Sequence, residues 1–134
     1  MEDARIDILA IAENLKVIRS FVRKFVSNFE NLNHHSDELI LAIDEACQNV
    51  IRHAYTGRND GNISVAISFK DNEFLVSIED DGTPVIPEKI KPRDIDDIKP
   101  GGLGTFFINQ IMDSVTFTLT SPHWVNCLTM RKKI

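Results

Sequence analysis

The chain has 134 residues, of which 43% are hydrophobic and 26% are charged, and its formal net charge is -5 at pH 7. This length is enough for about one domain, which needs neither a disulfide nor a metal ion to fold. The negative charge argues against nucleic acid or an anionic membrane surface as the main partner.

The two cysteines, Cys47 and Cys127, lack the paired spacing of a zinc site or a disulfide framework. No stretch approaches the roughly 18 apolar residues that a membrane-spanning helix needs, and no long apolar run follows the acidic start. We therefore expect a soluble, cytoplasmic protein whose cysteines are reduced and buried.

The first third of the chain predicts a strand followed by two helices. Arg5–Ala10 alternates polar and apolar residues like a short strand, and apolar residues recur at helical spacing over Leu15–Phe29. A loop is predicted over Asn31–His35. Ser36 can cap a second helix that runs to about Ala54.

The rest of the chain predicts four strands, a helix and a long loop. The strands and the helix are predicted at Asn62–Phe69, Glu73–Asp80, Leu103–Met112, Val115–Thr120 and Trp124–Met130. The first two strands form a hairpin. Between residues 83 and 100 four prolines prevent a regular element, and a loop of this length in a small domain is typical of a lid or a binding segment.

The second predicted helix carries Glu45 and Asn49, which lie one turn apart and point the same way, off the apolar stripe. The amide oxygen of Asn49 can complete a magnesium shell made mainly of phosphate oxygens and water, which leaves the Glu45 carboxylate to accept a proton. Taken alone, the pair also fits a solvated helix face.

Two further polar motifs come later in the chain. Asp80 and Gly82 stand at the end of an apolar strand, where a carboxylate can accept a proton of the adenine amino group and a glycine lets the backbone approach the base. Gly101–Gly104 opens a helix and can turn amide groups toward phosphate oxygens. Alone, these motifs also fit a plain Asp-Gly turn and a flexible helix entry.

In this order the three motifs resemble the N, G1 and G2 boxes of the Bergerat-fold (GHKL) ATPases. Within that superfamily the chain is most similar to the small stand-alone anti-sigma factor serine kinases of bacteria. The most specific part of the likeness is Asp-Glu-Ala-Cys-Gln-Asn-Val-Ile-Arg-His-Ala-Tyr at residues 44–55, and the likeness covers nearly the whole chain.

The resemblance implies an α+β fold of two layers, with helices on one face of a mixed, mainly antiparallel sheet. Residues 1–134 are then a single ATP-binding kinase domain with a lid at about 83–100. ATP and Mg²⁺ are the implied ligands, with the metal ion bound through Asn49 and with Glu45 as the catalytic base. The implied nucleotide-binding residues are Asn49, Asp80, Gly82, Gly102, Leu103, Gly104 and Thr105.

The resemblance also implies a substrate and a partner. Glu45 activates a serine hydroxyl on an anti-sigma factor antagonist of the STAS type, and phosphorylation releases that antagonist and frees the kinase to hold a sigma factor. The sequence does not decide whether the protein forms a homodimer. Two alternatives remain: a nucleotide-gated sequestering protein with little kinase activity, and a detached ATPase module of a histidine kinase. Against the latter, His34 and His35 lie in a predicted loop rather than on a dimerisation helix.

The chain departs from the family pattern at two places. Thr83-Pro84 stands where many relatives carry a second glycine after Asp-x-Gly. Asn126-Cys127 stands where others carry a Gly-Thr pair whose threonine supports the adenine site. The sequence therefore leaves the adenine contacts of the last strand open.

Overall fold

The structure, a computed structural model, describes residues 2–54, 60–82, 108–119 and 126–134. Its strands are β1 (Glu2–Leu9), β2 (Asn62–Lys70), β3 (Glu73–Asp80), β4 (Ser114–Leu119) and β5 (Asn126–Lys133). Its helices are α1 (Leu15–Val26), α2 (Glu30–Asn33) and α3 (Ser36–Asn49). A turn of 3-10 helix (Ala12–Asn14) precedes α1, a π-helical turn (Val50–Ala54) continues α3, and residues 108–111 are helical.

The five strands form one sheet in the order β1-β2-β3-β5-β4, so β3 is the central strand. All four ladders of the described strands are antiparallel, including those that join β3 to β5 and β5 to β4. The predicted hairpin is confirmed: Asp71 and Asn72 connect β2 to β3 with φ angles of 53° and 59°. Two such angles are typical of the type I′ turn, whose twist matches that of the strands.

The helices cover one face of the sheet. Along β3 the residues Phe74, Val76, Ile78 and Asp80 are buried on this face, and the residues between them are half-buried on the other. The apolar members join one hydrophobic core with residues of α1 and α3. The predicted α+β class with two layers is confirmed, and the polar Asp80 in this layer is the exception to explain.

Helices α1 and α3 run antiparallel, as two ion pairs between them show. Arg19 of α1 contacts Asp44 at 2.9 Å, whereas Arg23, one turn further along α1, lies 3.8 Å from Asp37 near the start of α3. As residue numbers rise in α1, they fall in the α3 partners. The C-terminal end of α3 therefore lies beside the start of α1.

Contacts at the two ends of the sheet show in which direction α3 runs across it. Helix α1 begins just after β1, whose last residue, Leu9, pairs with Asn62 at the start of β2. At the other end of the sheet, Lys132 Nζ lies 4.0 Å from Glu38 Oε1 in the first turn of α3. Both observations place the C-terminal end of α3 toward the edge of the sheet where β2 and β5 begin and β3 ends.

Two predictions about the helices are wrong. The segment predicted as a loop over Asn31–His35 overlaps α2, because Leu32 is fully buried and anchors a helical turn to the core. Ser36 is not the N-cap of α3: that position is His35, whose ring contacts the Glu38 carboxylate instead of capping the backbone. The expectation that both cysteines are buried holds for Cys47 alone, since Cys127 is half-buried on the opposite face of the sheet.

The second helix reaches Ala54 as predicted, but its form changes on the way. The α-helical part ends at Asn49, and Val50–Ala54 continues as a π-helical turn. π-Helical turns are rare in proteins, and those that occur are often found at functional sites. The change falls directly after Asn49.

Candidate functional site

A row of paired residues crosses the sheet at the end where β3 stops. Ile63 pairs with Asp80, and Asp80 pairs with Asn126 on the neighbouring strand. All three residues are buried, with exposed fractions of 0%, 3% and 4%. Asp80 and Asn126 thus form a polar pair at the edge of an otherwise apolar layer.

The Asp80 carboxylate is held by two hydrogen bonds to the same oxygen. Asn126 Nδ2 donates to Asp80 Oδ1 at 2.8 Å, and the Gly82 amide donates to it at 2.9 Å. No donor to Oδ2 is found in the part of the chain that the structure describes. This second oxygen is an acceptor for a ligand that brings its own N–H group, as adenine does.

Burial raises the pKa of the Asp80 carboxyl, and the charge of Asp81 raises it further. The hydrogen bonds from Asn126 and Gly82 act in the opposite direction and lower this pKa. Their effect is expected because donors stabilise the ionised form of a carboxyl group. Asn126 therefore helps to keep a buried carboxylate available as an acceptor.

Sequence reasoning misses this role of Asn126. In the sequence its position stands out only as a departure from the Gly-Thr pair of relatives, and its contact depends on the register between β3 and β5, which are 46 residues apart at this pair. An asparagine at the start of a strand that pairs with the Asp-x-Gly strand is the signal that could have revealed it.

Glu45 and Asn49 are both half-buried near the C-terminal end of α3. From Glu38 to Asn49 the helix advances about 16 Å. Strand β5 covers about 20 Å from Lys132 back to Asn126. Because Lys132 lies beside Glu38, Asn49 is brought toward the row that contains Asp80. Glu45 and Asn49 therefore lie on the end of α3 that is nearer to this row.

The side chains at this end of the sheet fit a magnesium ion that is bound mainly by the phosphates of a nucleotide. Among the described residues no group of three or more His, Cys, Asp or Glu side chains could hold a metal ion alone. Magnesium retains waters and takes few protein ligands when phosphates supply the rest. An amide oxygen such as that of Asn49 fits this limited role.

Gly102, Leu103, Gly104, Thr105 and the predicted lid at 83–100 lie outside the described residues. The helical segment at residues 108–111, a few positions further along the chain, is fixed to the sheet. Ile108 and Met112 are buried, and Lys132 Nζ donates to the carbonyl oxygen of Ile111 at 2.9 Å.

An open groove of about 400 Å³ lies on the opposite face of the sheet. Its lining residues come from the first three strands and include Arg5, Ala66, Ser68 and Ser77. The sheet itself separates this groove from Asp80. The groove is therefore unconnected with the nucleotide chemistry considered for the helix-covered face.

Comparison with known proteins matches residues 8–132 to the family model described as the histidine kinase-like ATPase domain. The chain belongs to this family. The match includes the α3 residues, Asp80 and Asn126, so the predicted resemblance to the Bergerat-fold ATPases is confirmed.

The chain is also similar to curated serine-protein kinases called RsbW. It is 33% identical to the protein of Listeria monocytogenes over 87 residues, which cover 59% of this chain and 55% of that protein. It is 26% identical to the protein of Bacillus thuringiensis over 122 residues, which cover 85% of this chain and 76% of that protein. The Listeria match thus spans about half of that relative.

Solved structures show the same fold. The RsbU and RsbW domains of Rv1364c from Mycobacterium tuberculosis match with a TM-score of 0.68 and 15% identity, over 99% of this chain and 32% of that one. The catalytic domain of the histidine kinase ThkA matches with a TM-score of 0.60 and 14% identity, over 99% and 97%. Within the described residues of this family member, no helix is long and apolar enough to cross a membrane.

Proposed function

We propose that this protein is an ATP- and Mg²⁺-dependent protein serine kinase. Its substrate is a serine of a STAS-type anti-sigma factor antagonist, and its second partner is a sigma factor. The observation that carries the proposal is the buried Asp80 carboxylate, which has one oxygen without a described donor at the end of the fold where α3 carries Glu45 and Asn49. The similarity to RsbW kinases supports it.

Each residue of the site has a distinct task in this proposal. Asp80 Oδ2 accepts a hydrogen bond from the adenine amino group, and Gly82 lets the chain turn beside the base. Backbone amides of Gly102, Leu103, Gly104 and Thr105 bind the phosphates. Asn49 would hold Mg²⁺, which neutralises charge on the phosphates when bound.

Glu45 accepts the proton of the attacking serine hydroxyl. As that proton leaves, the serine oxygen forms a bond to the γ-phosphorus, and the bond between this phosphorus and the bridging oxygen of ADP breaks. Asn49 cannot take the proton, because an amide is not basic, so the base and the metal ligand are different residues one helical turn apart. Positioning of these two groups, more than their intrinsic reactivity, sets the rate.

A phosphotransfer assay tests this proposal. Purified protein with Mg²⁺ and γ-labelled ATP is mixed with the cognate antagonist, and the product is treated with acid. Acid-stable label on the antagonist is expected, because a phosphoserine ester survives acid. Binding of ATP without transfer of label would instead favour a nucleotide-gated sequestering protein.

The histidine-kinase alternative is favoured by one observation, the match to the catalytic domain of ThkA over 99% of this chain. The same assay separates the two, because acid-labile label on a partner would indicate a phosphohistidine. Size-exclusion chromatography of the protein with the antagonist or the sigma factor, in ADP and in ATP, tests partner exchange. The same columns measure whether the protein forms a homodimer, which the sequence does not decide.

A further inference from the structure

We infer that Asp44 is a positioning residue for Glu45 and Asn49, held in place by Arg19 and Gln48. The inference rests on the proposed function, since it concerns the same catalytic helix. The side chains of Asp44, Arg19 and Gln48 form a polar network between α1 and α3, which we call the Asp44 network. None of the three was assigned a role by the sequence motifs.

The contacts of the Asp44 network are short and use both carboxylate oxygens. Arg19 Nη1 donates to Asp44 Oδ1 at 2.9 Å, and Gln48 Nε2 donates to Asp44 Oδ2 at 2.8 Å. The Asp44 residue is only 9% exposed, although it carries a charge. A buried carboxylate with both oxygens occupied has little freedom to rotate.

The network is directly adjacent to the proposed catalytic pair. Asp44 and Gln48 lie four residues apart on α3, and Glu45 and Asn49 are the next residue after each. The two pairs therefore occupy neighbouring ridges of the same two helical turns. Arg19 fixes the rotation of this part of α3 against α1, and the rotation determines where Glu45 and Asn49 point.

This end of α3 has a reason to need such a restraint. The α-helical hydrogen-bonding pattern ends at Asn49 and changes to a π-helical turn at Val50–Ala54. The bond from Gln48 to Asp44 spans the last α-helical turn, and the bond from Arg19 ties that turn to a second helix. Catalytic groups must be held within about 0.5 Å of productive geometry, which a freely twisting helix end does not ensure.

A second ion pair between the same helices provides a matched control. Arg23, one turn after Arg19 on α1, lies 3.8 Å from Asp37, and their side chains are 62% and 96% exposed. Solvent screens such a pair, and it is distant from Glu45 along the helix. Arg19→Met and Arg23→Met thus remove the same charge from the same helix. They differ in the contact that is lost and in its burial, since the Arg19 and Asp44 side chains are 45% and 12% exposed.

The first measurement is steady-state phosphotransfer with both variants. For Arg19→Met we expect kcat to fall about tenfold to a hundredfold, because small misplacements of catalytic groups have effects of this size. KM for ATP should rise by a clearly smaller factor, since Asn49 supplies only one ligand of the Mg²⁺ shell and the proposed adenine acceptor Asp80 is untouched. Arg23→Met should leave both constants within about twofold of the wild type. Arg19→Lys keeps a charged donor and should restore part of kcat.

The second measurement does not depend on catalysis. In the nucleotide-free protein, the side-chain amide resonances of Asn49 should shift in Arg19→Met and in Gln48→Leu, and should stay at their wild-type positions in Arg23→Met. Thermal melts verify that each variant is folded, and Gln48→Leu provides a second route to the network should Arg19→Met be unstable.

The inference is overturned if Arg19→Met behaves like Arg23→Met in both measurements, or if its loss of rate is matched by an equal loss of ATP affinity. If the wild-type protein transfers no phosphate, the proposed function fails. The amide resonances of Asn49 then decide the positioning role by themselves.

Discussion

The two ends of the sheet use polar side chains in opposite ways. At the end where β3 stops, Asp80 and Asn126 are 3% and 4% exposed and bond to each other inside the molecule. At the end where β3 begins, Glu73 pairs with Arg131 at 3.0 Å, and their side chains are 36% and 51% exposed. The first arrangement costs stability and the second costs almost nothing. Ionisable groups with perturbed pKa values cluster at functional sites, which supports the role proposed for Asp80.

The raised pKa of Asp80 reflects the free-energy cost of burying its charge. Because burial raises it above the ordinary value of 3.8, the folded protein binds the proton more tightly than the unfolded chain does. The contribution of this group to stability is therefore fully present below pH 3.8 and is lost as the pH rises through the folded pKa. The ionised form of Asp80 is therefore less favourable in the folded protein than in the unfolded chain.

The largest expected effect concerns α3, whose C-terminal end lies toward the Asp80 end of the sheet and whose first turn lies toward the other end. Glu45→Gln should lower the rate of phosphotransfer about 10²- to 10⁴-fold, because the general base is lost. ATP affinity should stay nearly unchanged, as judged by isothermal titration. Glu38→Gln removes a carboxylate from the far end of the same helix and should leave the rate unaltered. Equal rates in the two variants would show that the ends of α3 do not differ in function.

The next effect concerns ATP binding. Asp80→Asn should weaken ATP affinity about tenfold to a hundredfold, because one acceptor becomes an amino group that faces the adenine amine. The neighbouring and exposed Asp81 is the control, and Asp81→Asn should change the affinity less than about twofold. Titration calorimetry measures both. Undiminished ATP binding in Asp80→Asn would remove Asp80 from the site.

Asp80→Asn should weaken ATP binding but increase the stability of the folded protein. Asp80→Asn retains an oxygen for the bonds from Asn126 and Gly82 while removing the buried charge. We expect its free energy of unfolding at pH 7 to exceed that of the wild type by roughly 1 kcal/mol, as is common when a functional site is neutralised. Urea denaturation at pH 7 and at pH 4 measures the gain, which should shrink at the lower pH. A gain that grew on acidification would contradict the assigned cause.

A smaller and pH-dependent effect is expected for Asn126→Leu. Removing this donor raises the pKa of the Asp80 carboxyl further, because one bond that lowers it is lost. ATP affinity, which needs the ionised acceptor, should then begin to fall at a higher pH than in the wild type. Titrations between about pH 4.5 and pH 8 track the midpoint. A midpoint that stays in place would mean that Asn126 does not tune Asp80.

The smallest effect belongs to the other end of the sheet. Glu73→Gln should change the free energy of unfolding by less than about 1 kcal/mol, because its partner Arg131 is half in solvent. Phosphotransfer and ATP affinity should not change. A large effect here would show that the two ends are coupled and would weaken the contrast drawn between them.

The sequence predicted the elements that depend on local pattern. The strand Glu73–Asp80 was predicted with its observed bounds, and the β2–β3 hairpin and the two-layer class were also correct. The strand and the hairpin depend on alternation of apolar residues and on the turn residues between them. The resemblance depends most on α3 because its signature lies within one run of residues.

Features that depend on contacts between distant residues could not be predicted in the same way. The bond from Asn126 to Asp80 and the ion pair of Arg19 with Asp44 join residues 46 and 25 positions apart. Helix α2 was missed because one buried residue, Leu32, outweighed the loop-like composition around it. The roles of the glycines near Gly102 stay predictions.

The hairpin turn at Asp71 and Asn72 has a practical consequence. It projects from the end of the sheet remote from Asp80, and its carbonyl at Asn72 accepts a bond from the Ile134 amide at 2.9 Å. A fluorescent dye attached at Asp71 would therefore report tumbling and complex formation without obstructing the nucleotide. Surface immobilisation through the same turn would leave the end of the sheet that carries Asp80 and Asn126 away from the surface.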